Sequence, residues 1–166
     1  MRQAFNCTDT MTLFTRLARA LIAYSVHEHQ EGHVRQIDVW LHPRSIVVQD
    51  DGRGMGLDRA DYVDDLMGLL ACKSNVVQLH GVGLSLIATS TPSLHIESRR
   101  KGSLWTQNFK WGVAEAAPHQ AGSATGTGTR IEVDVAQEEA DIEIADVIAQ
   151  VDHWRLANPA LVFIVH

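Results

Sequence analysis

Cysteine is nearly missing from this chain. Cys7 and Cys72 are the only two in 166 residues, they stand far apart, and they match no metal-ligand spacing. That excludes a disulfide framework and favours two reduced thiols. Long apolar runs are also absent. The longest, such as Ala20–Ala23 and Ala160–Val165, fall far short of the ~20 residues that a membrane-spanning helix needs. Met1-Arg2-Gln3 leads into polar residues rather than an apolar segment, so no secretory signal is visible. Basic charge is in deficit as well: 14 Lys and Arg against 20 Asp and Glu leave −6 at pH 7. A surface built to grip a phosphate backbone would be basic, so direct DNA binding is disfavoured. Neither G-x-x-x-x-G-K-[ST] nor G-x-G-x-x-G occurs, which removes the two commonest nucleotide loops.

What remains is ordinary for a globular domain: 45% apolar and 20% charged residues, in a length that favours one domain. The expectation is a single cytoplasmic domain over 1–166 with no membrane contact. Its N-terminal arm would span 1–8.

Hydrophobic periodicity supplies the elements. Thr8-Asp9-Thr10 offers N-caps for a long helix carrying Phe14, Leu17, Ala18, Leu21, Ile22 and Ser25, and ending near Glu31-Gly32. Strands at 36–41 and 45–49 form a hairpin around His42-Pro43-Arg44. Amphipathic helices are predicted at 58–70 and 84–88. A second hairpin pairs 94–99 with 104–110. A loop of small residues, 112–128, precedes a strand at 130–135. A helix over about 140–156 is expected to turn Ile144, Val147, Ile148 and Val151 inward, and a strand at 161–165 closes the chain. Hairpins mixed with helices imply an α+β fold: two layers, with a mixed, mainly antiparallel sheet and helices on one face.

Three glycine clusters stand out: Asp50-Asp51-Gly52-Arg53-Gly54 after a strand, His80-Gly81-Val82-Gly83 opening a helix, and Thr125-Gly126-Thr127-Gly128-Thr129 before a strand. Each alone is ordinary turn chemistry. Placed in this order they let backbone approach a ligand, and the second puts free N–H groups where an anion can be held.

In this order, the motifs "VVQDDGRGM", "LHGVGLS" and "TGTGTRIEV" resemble the GHKL ATPase superfamily. Within it they are most similar to the ATPase domain of the gyrase B and type II topoisomerase group. The resemblance runs over roughly residues 10–165. It implies the Bergerat ATP-binding fold and a bound ATP or ADP. By the same resemblance, Asp50 accepts the adenine amine, and Gly52, Gly54 and Met55 form the wall for base and ribose. His80, Gly81, Val82 and Gly83 wrap the phosphates, Lys73 points at them from a short lid segment over 55–80, and Thr129 supports Asp50 and the base.

One part of the resemblance fails. The family's first helix carries a catalytic Glu and, four residues later, a magnesium-binding Asn. The register set by "DDGRG" puts Ala20 and Tyr24 there. Alanine cannot accept a proton, and losing a positioned general base costs on the order of 10²–10⁴ in rate. Tyrosine is a poor magnesium ligand, so magnesium dependence is doubtful and no metal site is assigned. His27 and Glu28 are candidate substitutes for the base; the plainer alternative is two solvated residues near the helix end. His29 and His33 are spaced i, i+4, but with no third ligand they read as a polar helix end. The Arg99-Arg100-Lys101 run reads as a solvated hairpin tip.

The expected function is an adenine-nucleotide-binding module with weak or absent hydrolysis. Two alternatives stay open: an interaction or scaffold domain that no longer binds nucleotide, serving an unidentified protein partner, or an ATPase using a substitute base. Because the resemblance takes up almost the whole length, a free-standing module is expected.

Overall fold

The computed structural model describes residues 13–57, 91–135 and 144–166. The helices predicted at 58–70 and 84–88, the arm over 1–8 and nearly all of the lid segment lie outside the described residues.

Helix α1, Leu13–Gln30, buries Leu17, Ala18, Leu21, Ile22 and Val26 along one stripe. Gly32 ends it in the left-handed region, at φ 82°. The Gly32 amide donates to the His29 carbonyl at 2.8 Å, and the His33 amide donates to the Glu28 carbonyl at 2.9 Å. This paired closure satisfies carbonyls that the helix would otherwise leave open, and glycine adopts it without a Cβ penalty.

The strands are β1 (Gln36–His42), β2 (Ser45–Asp50), β3 (Ser93–Arg100), β4 (Ser103–Lys110), β5 (Val113–Ala114), β6 (His119–Ser123), β7 (Gly128–Asp134) and β8 (Val162–Val165). They form one sheet in the order β5-β4-β3-β7-β2-β1-β8, with β6 also on β4. Among the described residues β8, parallel to β1, is the exception in an otherwise antiparallel sheet. Lys101 and Gly102, at φ 51° and 78°, make the two-residue turn between β3 and β4. Two successive positive φ values match the right-handed twist of the flanking strands.

Alternation along the strands divides the sheet into two faces. Ile37, Val39, Ile46, Val48, Leu94, Ile96, Ile131 and Val133 are buried in one core with the α1 stripe. Helix α2, Ile144–Ala157, adds Val147 and Val151 to that same core. Both described helices therefore pack on one face, as the α+β reading requires. The opposite face is polar: His95 bonds Asn108 and Glu97, and Arg130 pairs with Glu132 at 2.8 Å. Near one edge the Trp40 ring stacks on His166 with centroids 4.6 Å apart.

Two expectations are corrected. The segment 112–128 is not simply loop. Trp111 and Gly112, both at positive φ, make a second tight turn into β5, and β6 then pairs with β4. Periodicity missed these strands because nearly all their residues are exposed and few are apolar, so no alternation marks them. The inward face of α2 is also narrower than expected. Val147 and Val151 are buried, but Ile144 and Ile148 are 43% and 40% exposed. A helix lying on a sheet buries a stripe, and an i, i+4 pair just off its centre stays outside.

Replacing Ile96, fully buried, by Ala should cost about 2–5 kcal/mol in urea unfolding. Ile148→Ala should cost less than about 0.5 kcal/mol. Equal losses would contradict this placement of α2.

Candidate functional site

The topology decides what lies beside Asp50. Strand β7 runs between β2 and β3, and its register sets Gln49 opposite Arg130 and Ser98 opposite Thr129. Asp50, Thr129 and Ser98 therefore come together at one end of the sheet, on the core face. All three are buried.

A carboxylate in that position loses its water and needs donors. Asp50 Oδ1 accepts the Gly52 amide at 3.0 Å and the Thr129 amide at 3.1 Å. Oδ2 accepts the Ser25 hydroxyl of α1 at 2.8 Å. Burial nonetheless pushes the Asp50 carboxyl above the ordinary carboxylate range, against the pull of these three bonds. Each carboxylate oxygen has about two acceptor positions. Oδ1 is filled, and these bonds use only one position on Oδ2.

The loop after β2 is fastened across the sheet end. The Met55 amide donates to Thr129 Oγ1 at 3.1 Å, and Ser98 Oγ donates to the Met55 carbonyl at 2.6 Å. Arg100 Nη1 donates to the Gly54 carbonyl at 3.1 Å. Close approach explains two glycines. A Cβ on Gly54, at φ 79°, would meet the Arg99 carbonyl oxygen at 2.5 Å, and one on Gly128 would meet the Asp50 carbonyl oxygen at 2.1 Å.

Ala20 and Tyr24 pack partly buried against the core from α1. The Tyr24 hydroxyl is raised well above its usual range, first by burial and then by the charges of Asp50 and Glu28, with the Thr129 side chain pulling the other way. The phenol is thus neutral at every physiological pH and lies beside Asp50 and Thr129. Glu28 is not the solvated residue or available base of the sequence reading. It is buried and held by both forks of Arg53, Nε to Oε2 at 2.9 Å and Nη2 to Oε1 at 3.1 Å. His27 keeps a buried Nδ1 with no hydrogen-bond partner. His29 Nδ1 is engaged by the Val34 carbonyl, and no cluster of metal-ligating side chains occurs among the described residues. Arg100 is not at a free hairpin tip, since its guanidinium anchors the Gly54 loop.

Of the residues expected from sequence, the structure gathers Asp50, Gly52, Gly54, Met55, Thr129 and Tyr24. Lys73, His80, Gly81, Val82 and Gly83 lie outside the described residues. Sequence reasoning missed Arg53, Ser98 and Arg100. Ser25 was visible as a hydroxyl within an apolar stripe, but its partner was not.

This architecture has known counterparts. The B subunit of DNA gyrase from Haloferax volcanii is 31% identical over 143 residues, covering 74% of this chain and 22% of that protein. The B subunit of DNA topoisomerase 4 from Escherichia coli K12 is 31% identical over 119 residues, covering 63% and 19%. The chain is a homologue of the gyrase and topoisomerase IV B proteins and shares the GHKL fold. A solved topoisomerase IV ATP binding domain of Francisella tularensis, in complex with a small-molecule inhibitor, superimposes with a TM-score of 0.72 at 22% identity over 90% of this chain and 79% of that one. This GHKL-fold chain spans about a fifth of the length of the curated relatives it matches. No protein-family model matches it.

The geometry around Asp50 can be tested in two ways. Gly128→Ala should cost at least about 3 kcal/mol or prevent folding, because the clash is with backbone. Gly102→Ala, with nothing within 4 Å, should cost only about 1 kcal/mol. Asp50→Asn should show a pH signature. A carboxyl raised in the folded state contributes stability fully below its unfolded pKa of 3.8, and that contribution is lost as pH rises through the folded value. Asn loses nothing over the same range. The stability of the variant relative to wild type should therefore increase from pH 4 to pH 7 in urea titrations; a constant difference would contradict the raised carboxyl.

Proposed function

We propose that this chain is an adenine-nucleotide-binding module whose hydrolysis is weak or absent. One observation carries the reading: a buried carboxylate is fixed by three donors that fill Oδ1 and use only one acceptor position on Oδ2, beside the Ser25 hydroxyl. A rigid, desolvated acceptor of this kind favours a ligand that brings an amino donor, and rejects one that leaves it unpaired. ATP and ADP both carry that amine, and the homologues support a nucleotide as ligand.

Hydrolysis is another matter. Ala20 offers no proton acceptor, and Tyr24 presents a neutral, partly buried phenol where the family places a magnesium ligand. Glu28 is neutralised by Arg53, so it is poorly suited to replace the base. Binding without magnesium dependence is the natural consequence.

The burial of Tyr24 against Asp50 and Thr129 favours a second reading, in which the phenol fills the pocket and the chain works as an interaction domain. The two readings divide on one experiment. ATP and ADP are titrated calorimetrically into wild type, Tyr24→Ala and Asp50→Asn, with and without magnesium. In the first reading wild type binds both nucleotides equally well without metal. Tyr24→Ala tightens binding by about tenfold, because less of the protein is held in a closed state. Asp50→Asn abolishes binding, since its amide sets a donor against the adenine amine. Silence in wild type with binding restored in Tyr24→Ala establishes the plug instead. Binding that survives in Asp50→Asn would sink the first reading.

A further inference from the structure

Strand β8 ends the sheet beside β1, and among the described residues no strand pairs with its other side. The Val162 and His166 amides donate to the Arg35 and Val39 carbonyls at 2.9 Å each. Successive residues of a strand turn their backbone groups to opposite sides. Phe163 and Val165 therefore direct their N–H and C=O groups away from β1, along the outer edge. An edge of this kind is a template for a further strand unless something blunts it. The side chains of β8 do not. The strand reads Val-Phe-Ile-Val, with no charge. Phe163 points into the core, while Val162 and Ile164 are 51% and 37% exposed on the face away from the helices.

One group on that edge is nevertheless occupied. Arg155 of α2 reaches across, and its Nη2 donates to the Phe163 carbonyl at 2.9 Å. Asp152, one turn earlier, steadies the same guanidinium by accepting from Nη1 at 2.8 Å. The guanidinium thus sits where the amide of an added strand would donate. An incoming strand must displace it and break a charge-assisted bond.

We propose that Arg155 guards the β8 edge, and that the strand it keeps out is β8 of a second copy of this chain. The register argues for that occupant. A two-fold axis through Ile164 sets the two strands antiparallel, with Phe163 of each chain opposite Val165 of the other. Those residues carry the outward N–H and C=O groups, so each pair can exchange both hydrogen bonds. Ile164 then meets its own copy on the open face. Such a contact is self-complementary and closes as a dimer. Arg155 competes for the Phe163 carbonyl once on each chain, so its loss counts twice. This inference does not depend on what Asp50 binds.

The test is sedimentation velocity on the 166-residue chain, from micromolar to submillimolar concentration. Wild type should stay monomeric. Arg155→Ala should dimerise, associating at least about tenfold more tightly than wild type, because a bond to a charged group no longer has to be broken at either edge. Arg155→Ala combined with Ile164→Lys should return to monomer, since the pairing would set two lysines against each other. Asp152→Asn loosens the guanidinium without removing it and should give a smaller shift in the same direction, which keeps the test available should Arg155→Ala misfold. Amide exchange supplies a second readout: the Phe163 and Val165 amides should slow with concentration in the Arg155→Ala variant and not in wild type. Monomer at every concentration in whichever of Arg155→Ala and Asp152→Asn folds, association that Ile164→Lys leaves intact, or wild type pairing as tightly as the variants would each overturn the assignment.

Discussion

A carboxylate buried at the end of an apolar core is the constraint around which the described structure is arranged. Asp50 can remain there only if donors replace the water it has lost. Those donors come from three places: the Ser25 hydroxyl on α1, the Gly52 amide in the following loop and the Thr129 amide on β7. One side chain thereby joins the helical layer, the sheet and the connecting loop. Gly128 has no room for a Cβ because β7 must come close enough for the Thr129 amide to reach Asp50. Met55, Ser98 and Arg100 then hold the loop in place.

The same arrangement sets the chemistry. A fixed buried acceptor selects for a donor, and selects strongly because an unpaired buried group is costly. What lies near it from α1, besides Ser25, is the neutral phenol of Tyr24, and Ala20 one turn earlier offers no proton acceptor. In the function we propose, recognition is thus retained while proton abstraction is not. The Arg53–Glu28 pair removes that carboxylate from the task.

The hairpins, the long first helix and the strand at 128–134 were legible because their apolar side chains repeat at the periods of helix and strand. β5 and β6 were not, since strands exposed along nearly their whole length leave no periodic trace. For α2 the period was right but the width of its buried stripe was not, because Ile144 and Ile148 look like core residues until the position of the sheet is known. Among the site residues, Asp50 and Thr129 could be recognised by motif, whereas Ser98 and Arg100 sit in an ordinary amphipathic strand. Glu28 and Arg53 are separated by a complete hairpin, and nothing local in either segment points to the other.

The sequence by itself determined most of the described helices and strands, β5 and β6 excepted, and which fold family the chain resembles, since these depend on neighbours within a few residues or on motifs read in order. Only the tertiary structure decided that Asp50 has three donors, that Tyr24 packs partly buried beside it, and that Glu28 is spent on Arg53. Those outcomes depend on the insertion of β7 between β2 and β3 and on the packing of α1 across them. Burial and charge pairing are properties of that assembled surface, and no local pattern encodes them.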